Sequence, residues 1–231
     1  MRIDKFLSNL KYGTRKEIKA LLKTQQVFVN EIRVIDPTLS IDPNKDLVYV
    51  DGEKVFYKEH IHLMIYKPIG YLSANHDTMH RVITSLIEPP YNRFEYAIAG
   101  RLDLDAEGLL ILTTDGNFAH QIMHPKKHIE KTYEVMLDKP FLHQNTLLKG
   151  ILIKDAYNDE YFAKALDIKK DKEHVTIIID EGKFHQVKRM FQAVGYEVLR
   201  LKRTSIGNLK LKDLKPGEYI EFERNDLEWP N

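Results

Sequence analysis

The chain has 231 residues, 43% of them hydrophobic, enough for a folded core and for one medium domain plus a small one. It contains no cysteine, which excludes disulfides, thiolate metal sites and a cysteine nucleophile. Its formal net charge is +1, no apolar run approaches the roughly 20 residues of a membrane span, and the amino terminus lacks a signal-peptide pattern, so a soluble, unexported, cytoplasmic protein is expected.

Charge distribution says more than net charge. From Met1 to Lys23, seven basic residues (Arg2, Lys5, Lys11, Arg15, Lys16, Lys19, Lys23) face two acidic ones (Asp4, Glu17). Between Glu181 and Arg203, six basic residues (Lys183, Lys188, Arg189, Arg200, Lys202, Arg203) face two acidic ones (Glu181, Glu197). Two separated basic islands fit an extended polyanion, although each also reads as a solvated face.

In chain order, Phe6, Leu7 and Leu10 sit at helical spacing, and Tyr12-Gly13 closes that short helix. Thr14-Arg15-Lys16-Glu17 has the form of a capping box, so a second helix starts at Arg15. Its inward face is Ile18, Leu21 and Leu22; Arg15, Lys19 and Lys23 repeat on another side beside Lys16, a basic ridge suited to a phosphate backbone. Strands follow at Val27–Val29 and Val48–Val50, and the polar stretch 52–61 reads as a linker, which divides the chain into residues 1–58 and 59–231.

In the second part, strands are expected at 61–66, 109–112, 132–137, 175–179 and 219–222, and helices at 117–123 and 186–194. Strands outnumber helices without a βαβ rhythm, so the fold class is α+β, a mostly antiparallel sheet with flanking helices.

Gly100-Arg101-Leu102-Asp103-Leu104-Asp105 lies in a loop before the 109–112 strand, which puts a carboxylate at the mouth of a sheet with an arginine two residues before it. Such a group serves catalysis, turn chemistry or magnesium ligation. Residues Glu181 to Met190 open a helix whose apolar face is Val187, Met190, Phe191 and Val194 and whose polar face carries His185, Lys188, Arg189 and Gln192. That cationic face is either solvated or directed at a partner. His120, His124 and His128 are spaced by four, but Pro125 interrupts the helix that would align them on a metal.

Together these segments resemble the pseudouridine synthases typified by the ribosomal small-subunit pseudouridine synthase A, from Met1 to about Glu221. Residues 1–7 and the ridge after Thr14 look like an S4-type RNA-binding domain; Lys67-Pro68-Ile69-Gly70 is similar to the family's first catalytic-domain motif. Gly100 to Asp103 matches the segment of the catalytic aspartate, Glu130-Lys131-Thr132-Tyr133 that of the active-site tyrosine, and Gly182 to Met190 the basic motif that faces the aspartate. Ala106-Glu107 departs from the family, where a threonine commonly follows the second aspartate.

The resemblance implies a small S4-like domain, then a pseudouridine synthase domain that works without cofactor or metal, in a monomer acting on ribosomal RNA. It implies Asp103 as nucleophile, Lys188 as the buried ion-pair partner that keeps it charged, and Tyr133 packed against the target base. Arg101 would fill the space left by the extruded nucleotide. Lys5, Arg15, Lys16, Lys19 and Lys23 would grip phosphates, with Lys67, Arg189 and Arg203 as further RNA-binding residues. Small-subunit RNA is the expected substrate because the chain stops soon after Tyr219 without a basic tail; large-subunit RNA is the alternative, and a non-catalytic rRNA-binding assembly factor the reading from another class.

Overall fold

The computed structural model describes residues 1–24, 26–155 and 157–229. They form two compact units, residues 1–61 with 87–95, and residues 62–86 with 96–231. No helix among the described residues is long and apolar enough to cross a membrane.

The first unit opens with helices α1 (Ile3–Asn9) and α2 (Arg15–Thr24). The capping box is present: the Thr14 amide donates to Glu17 Oε2 at 2.7 Å, and the Glu17 amide donates to Thr14 Oγ1 at 3.3 Å. Four short strands, β1 (Val27–Val29), β2 (Ile32–Arg33), β3 (Val48–Val50) and β4 (Glu53–Lys54), form a sheet in the order β2-β1-β3-β4. Ile3, Leu7, Ile18, Leu22 and Val27 are fully buried between helices and sheet. The stretch expected as a linker instead completes this sheet, since β4 pairs with β3 and Val55 is buried in the same core.

The second unit is built on one large sheet. Its strands are β5 (His62–Lys67), β8 (Ala97–Ala99), β9 (Glu107–Thr113), β10 (Lys131–Leu137), β13 (Asp167–Asp171), β14 (His174–Ile179), β15 (Val198–Ile206), β16 (Leu209–Lys210) and β17 (Tyr219–Glu221). The pairs β6 (Tyr71–Leu72) with β7 (Arg81–Val82), and β11 (Ile151–Lys154) with β12 (Glu160–Ala163), stand outside it. The main path runs β13-β14-β10-β15-β9-β5-β17, with β8 on β9 and β16 on β15. All its pairings are antiparallel except β15 with β9. The α+β class and the mostly antiparallel sheet are as the sequence pattern predicts.

Burial explains the strand sequences. β5 and β9 are buried at every position and covered on both faces, whereas β10 alternates between core and solvent as a half-covered strand does. Helix α3 (Gly116–Met123) packs Phe118, Ala119 and Ile122 into a core with Tyr66, Leu109 and Ile111. Helices α4 (Gln144–Lys149) and α5 (Gln186–Ala193) enter a second core, where Val187, Met190 and Phe191 meet Tyr133, Val135 and Ile177.

The parallel contact between β9 and β15 has a specific requirement. Gly108 sits at φ +115°, and a Cβ built on it would meet the Arg203 carbonyl oxygen at 2.2 Å. Only glycine allows the two backbones to approach there.

Candidate active site

A cavity of about 630 Å³ opens in the second unit, walled on one side by residues 100–105 and on another by 179–187. The 100–106 loop has little freedom. Ser73 Oγ donates to the Leu102 carbonyl at 2.8 Å and accepts from the Leu102 amide at 3.0 Å. The Gly70 amide donates to the Leu104 carbonyl at 2.8 Å, and Lys67 Nζ donates to the Ala106 carbonyl at 2.6 Å. At its start, Arg203 Nη2 donates to the Gly100 carbonyl. Loop carbonyls and amides that would otherwise sit unpaired in a closed space are thus bonded, and the Asp103 backbone is held.

Asp103 offers a carboxylate whose side chain is 24% exposed. His185 Nε2 stands 3.2 Å from its Oδ1, and Lys188 Nζ stands 3.3 Å from its Oδ2. Lys188 Nζ is also 2.6 Å from Asp105 Oδ1, and that hydrogen bond holds the Asp105 carboxyl below the usual carboxylate range. The expected buried ion pair is corrected on this point: Lys188 is 21% exposed and shared between two carboxylates rather than sealed on one.

Tyr133 and Arg203 line the same cavity as cross-strand partners on β10 and β15. Arg203 Nη1 donates to the Tyr133 hydroxyl at 3.4 Å, and its Nε donates to the Leu109 carbonyl at 2.8 Å. The guanidinium carbon lies 5.9 Å from the Tyr133 ring centre. Arg203 is 1% exposed, so it braces Tyr133 and Gly100 instead of reaching outward to a phosphate.

Arg101 is exposed and lines the cavity. Lys67 is fully buried, its ammonium on the Pro68 and Ala106 carbonyls, and burial lowers it to about 8 although Asp103 and Asp105 pull the other way. The expectation that Lys67 contacts RNA directly is therefore corrected to a support under the Asp103 loop. Arg189 lies outside the cavity lining; it donates to the Lys154 carbonyl and stands 5.2 Å over the Phe184 ring. Lys5, Arg15, Lys16, Lys19 and Lys23 are exposed on the first unit.

Three groups at this cavity were not among the site residues read from the sequence. Ser73 carried no local signal. Lys131 was visible inside Glu130-Lys131-Thr132-Tyr133; it lines the cavity, donates to the Ile129 carbonyl at 2.8 Å and is lowered to about 8 by burial, with Arg203 adding to the effect. His185 was visible on the polar face of the 186–194 helix, but its approach to Asp103 was not. The spaced histidines do not converge on one point: His128 Nδ1 is 2.7 Å from Asp180, and His124 Nδ1 accepts from the Lys126 amide.

The model of the family described as RNA pseudouridylate synthase matches residues 61–193, more than half of the chain. The chain belongs to the RNA pseudouridylate synthase family. An uncharacterized RNA pseudouridine synthase of Bacillus subtilis (strain 168) is 44% identical over 98% of this chain and 97% of its own length. The ribosomal small subunit pseudouridine synthase A of Vibrio vulnificus (strain CMCP6) is 33% identical over 99% and 98%. The ribosomal large subunit pseudouridine synthase B of Bacillus subtilis (strain 168) is 35% identical over 98% and 93%. A solved structure of a pseudouridylate synthase has the same fold, with TM-score 0.67, 32% identity and coverage of 98% of this chain and 97% of that one. A pseudouridine synthase is an RNA-modifying isomerase, and the cavity at Asp103 lies within the matched family region apart from its β15 wall.

Proposed function

We propose that this protein converts a uridine of small-subunit (16S) ribosomal RNA to pseudouridine, with Asp103 as the nucleophile. The observation that carries the reading is a carboxylate that lines the same cavity as Tyr133 and lies in contact with Lys188 and His185.

The reaction breaks the bond between ribose C1′ and uracil N1, turns the base, and joins C1′ to C5. The C5 hydrogen leaves as a proton and N1 takes one up, so no oxidant, reductant or energy source is consumed. Attack by Asp103 on the ribose or on the base both satisfy this balance. The target nucleotide must first leave its stack, at a cost of a few kcal/mol. Arg101, exposed at the cavity, is suited to the space it vacates, and the Tyr133 ring is suited to pack on the base. On the first unit, the S4-like helix pair presents Lys5, Arg15, Lys16, Lys19 and Lys23 for phosphates, a sequence-neutral and salt-sensitive grip.

The small-subunit assignment is supported by full-length similarity to a small-subunit synthase; the comparable similarity to a large-subunit synthase favours the alternative substrate. Mapping pseudouridines in both rRNAs from cells with and without the protein separates them. Loss of one site from 16S rRNA is the expected result. Loss confined to the large-subunit RNA transfers the substrate, and no loss from either removes the rRNA reading.

A further inference from the structure

The two basic groups at Asp103 are not equivalent. Lys188 divides its ammonium, with its shorter contact, 2.6 Å, on Asp105 and its longer one, 3.3 Å, on Asp103 Oδ2. His185 Nε2, 3.2 Å from Asp103 Oδ1, has no second carboxylate among its described contacts.

The surroundings of His185 hold it in place. Its backbone is left-handed, at φ +52° and ψ +26°, a conformation that residues with a side chain keep only where neighbouring structure enforces it. The enforcing contacts are local. Buried Gln186 accepts from the Lys183 amide at 3.0 Å and donates to Glu181 Oε2 at 3.1 Å, which closes the turn that precedes α5. The Phe184 ring stacks on the imidazole, centres 3.7 Å apart and planes at 19°, and the Arg189 guanidinium stands over Phe184. The closed turn holds the His185 backbone, and the stacked Phe184 ring packs on the imidazole.

We propose that His185 is a positioning residue for Asp103: its imidazole, packed 3.2 Å from Oδ1, restricts the carboxylate rotamer and so aims the nucleophile at the uridine. This rests on the reading of Asp103 as nucleophile. A carboxylate held only by a shared, flexible ammonium would sample other rotamers, and displacement of a reacting group by about 1 Å is enough to cost on the order of 100-fold in rate. The role belongs to the chemical step and not to RNA affinity.

The test compares His185→Leu, His185→Gln and Asp103→Asn in the full chain. It uses an rRNA transcript carrying tritium at uridine C5 and containing the site found by mapping. Tritium release under single turnover reads the chemical step, filter binding of the same transcript reads affinity, and thermal unfolding checks the fold. His185→Leu should slow release roughly 10- to 100-fold with the dissociation constant unchanged. His185→Gln, whose amide reaches close to the position of Nε2, should recover most of the rate. A His185→Leu rate equal to wild type overturns the proposal. So does equal slowing by leucine and glutamine, or a defect confined to affinity. Asp103→Asn separates the two levels: if it still turns over, the nucleophile reading is wrong, and if it is inactive while His185→Leu is normal, only the role of His185 fails.

Discussion

The ammonium of Lys188 lies 2.6 Å from the Asp105 carboxylate, closer than to Asp103, so one cation serves two carboxylates at the mouth of the cavity. Asp105 is largely exposed and Asp103 largely covered. Water therefore screens one attraction more than the other, and the longer contact is the one that matters for charge inside the cavity.

Opposite effects should follow from removing the cation and removing its second partner. Lys188→Met should lower the single-turnover rate by on the order of 100-fold or more, the scale seen when one preorganised electrostatic group is lost. Asp105→Asn should leave the rate within a few-fold of wild type, because the ammonium then turns wholly to Asp103. Single-turnover assays on both variants check this. A slower enzyme from Asp105→Asn than from Lys188→Met would assign the essential charge to Asp105.

Burial of lysines gives the fold a pH dependence of known sign. Lys67 and Lys131 are lowered to about 8 from the ordinary 10.5. Between those values the unfolded chain holds protons that the folded chain has released, so stability rises as pH climbs from about 8. Tyr66 and Tyr161 are raised to about 12 from 10.0, chiefly by burial, and oppose the rise above about pH 10. The clean window is pH 8 to 10. Denaturant unfolding at pH 7.5 and 9.5 should show wild type gaining about 1–2 kcal/mol relative to Lys131→Met. Parallel changes in the two proteins would mean that Lys131 is not held below its ordinary value.

How far the sequence discloses this site depends on the distance over which its contacts act. The 186–194 helix, β1, β3 and the capping box at Thr14 are written in local spacing, and the structure has them within a residue or two. The longest strand, β15 (Val198–Ile206), reads instead as a basic island, because Arg200, Lys202 and Arg203 mask its alternation. Arg203 is buried by carbonyls of Leu109 and Gly100, far off in sequence, and Lys67 by that of Ala106; no window of neighbours announces such partners. The Asp103 loop is legible as a motif, while Ser73 and His185 join it only through tertiary structure.

The grip of the first unit is testable apart from the chemistry. Lys16 and Lys19 are exposed on α2, and replacing both with alanine should weaken binding to RNAs of unrelated sequence alike. Each lysine that pairs with a phosphate contributes about 0.7–0.9 to the slope of log K against log salt, and its removal should flatten the slope by that amount. Titrations at several salt concentrations measure it. An unchanged slope would take these two lysines out of the RNA interface.

The last prediction concerns the parallel contact of β9 with β15, the strand whose Arg203 lines the cavity. Gly108→Ala places a methyl group 2.2 Å from the Arg203 carbonyl oxygen and 2.6 Å from its nitrogen, at a φ of +115° that alanine disfavours. Backbone atoms cannot swing aside as a side chain end would, so β9 and β15 must part at their parallel contact. A loss of about 3 kcal/mol or more is expected, which for a chain of this size lowers the unfolding temperature on the order of 10 °C. Because Arg203 also braces Gly100 and Tyr133, the surviving folded fraction should be slow in the chemical step as well. Gly116→Ala is the control, since a Cβ there meets nothing within 4 Å. Equal unfolding temperatures for the two variants would show that the β9–β15 approach is not close enough to require glycine.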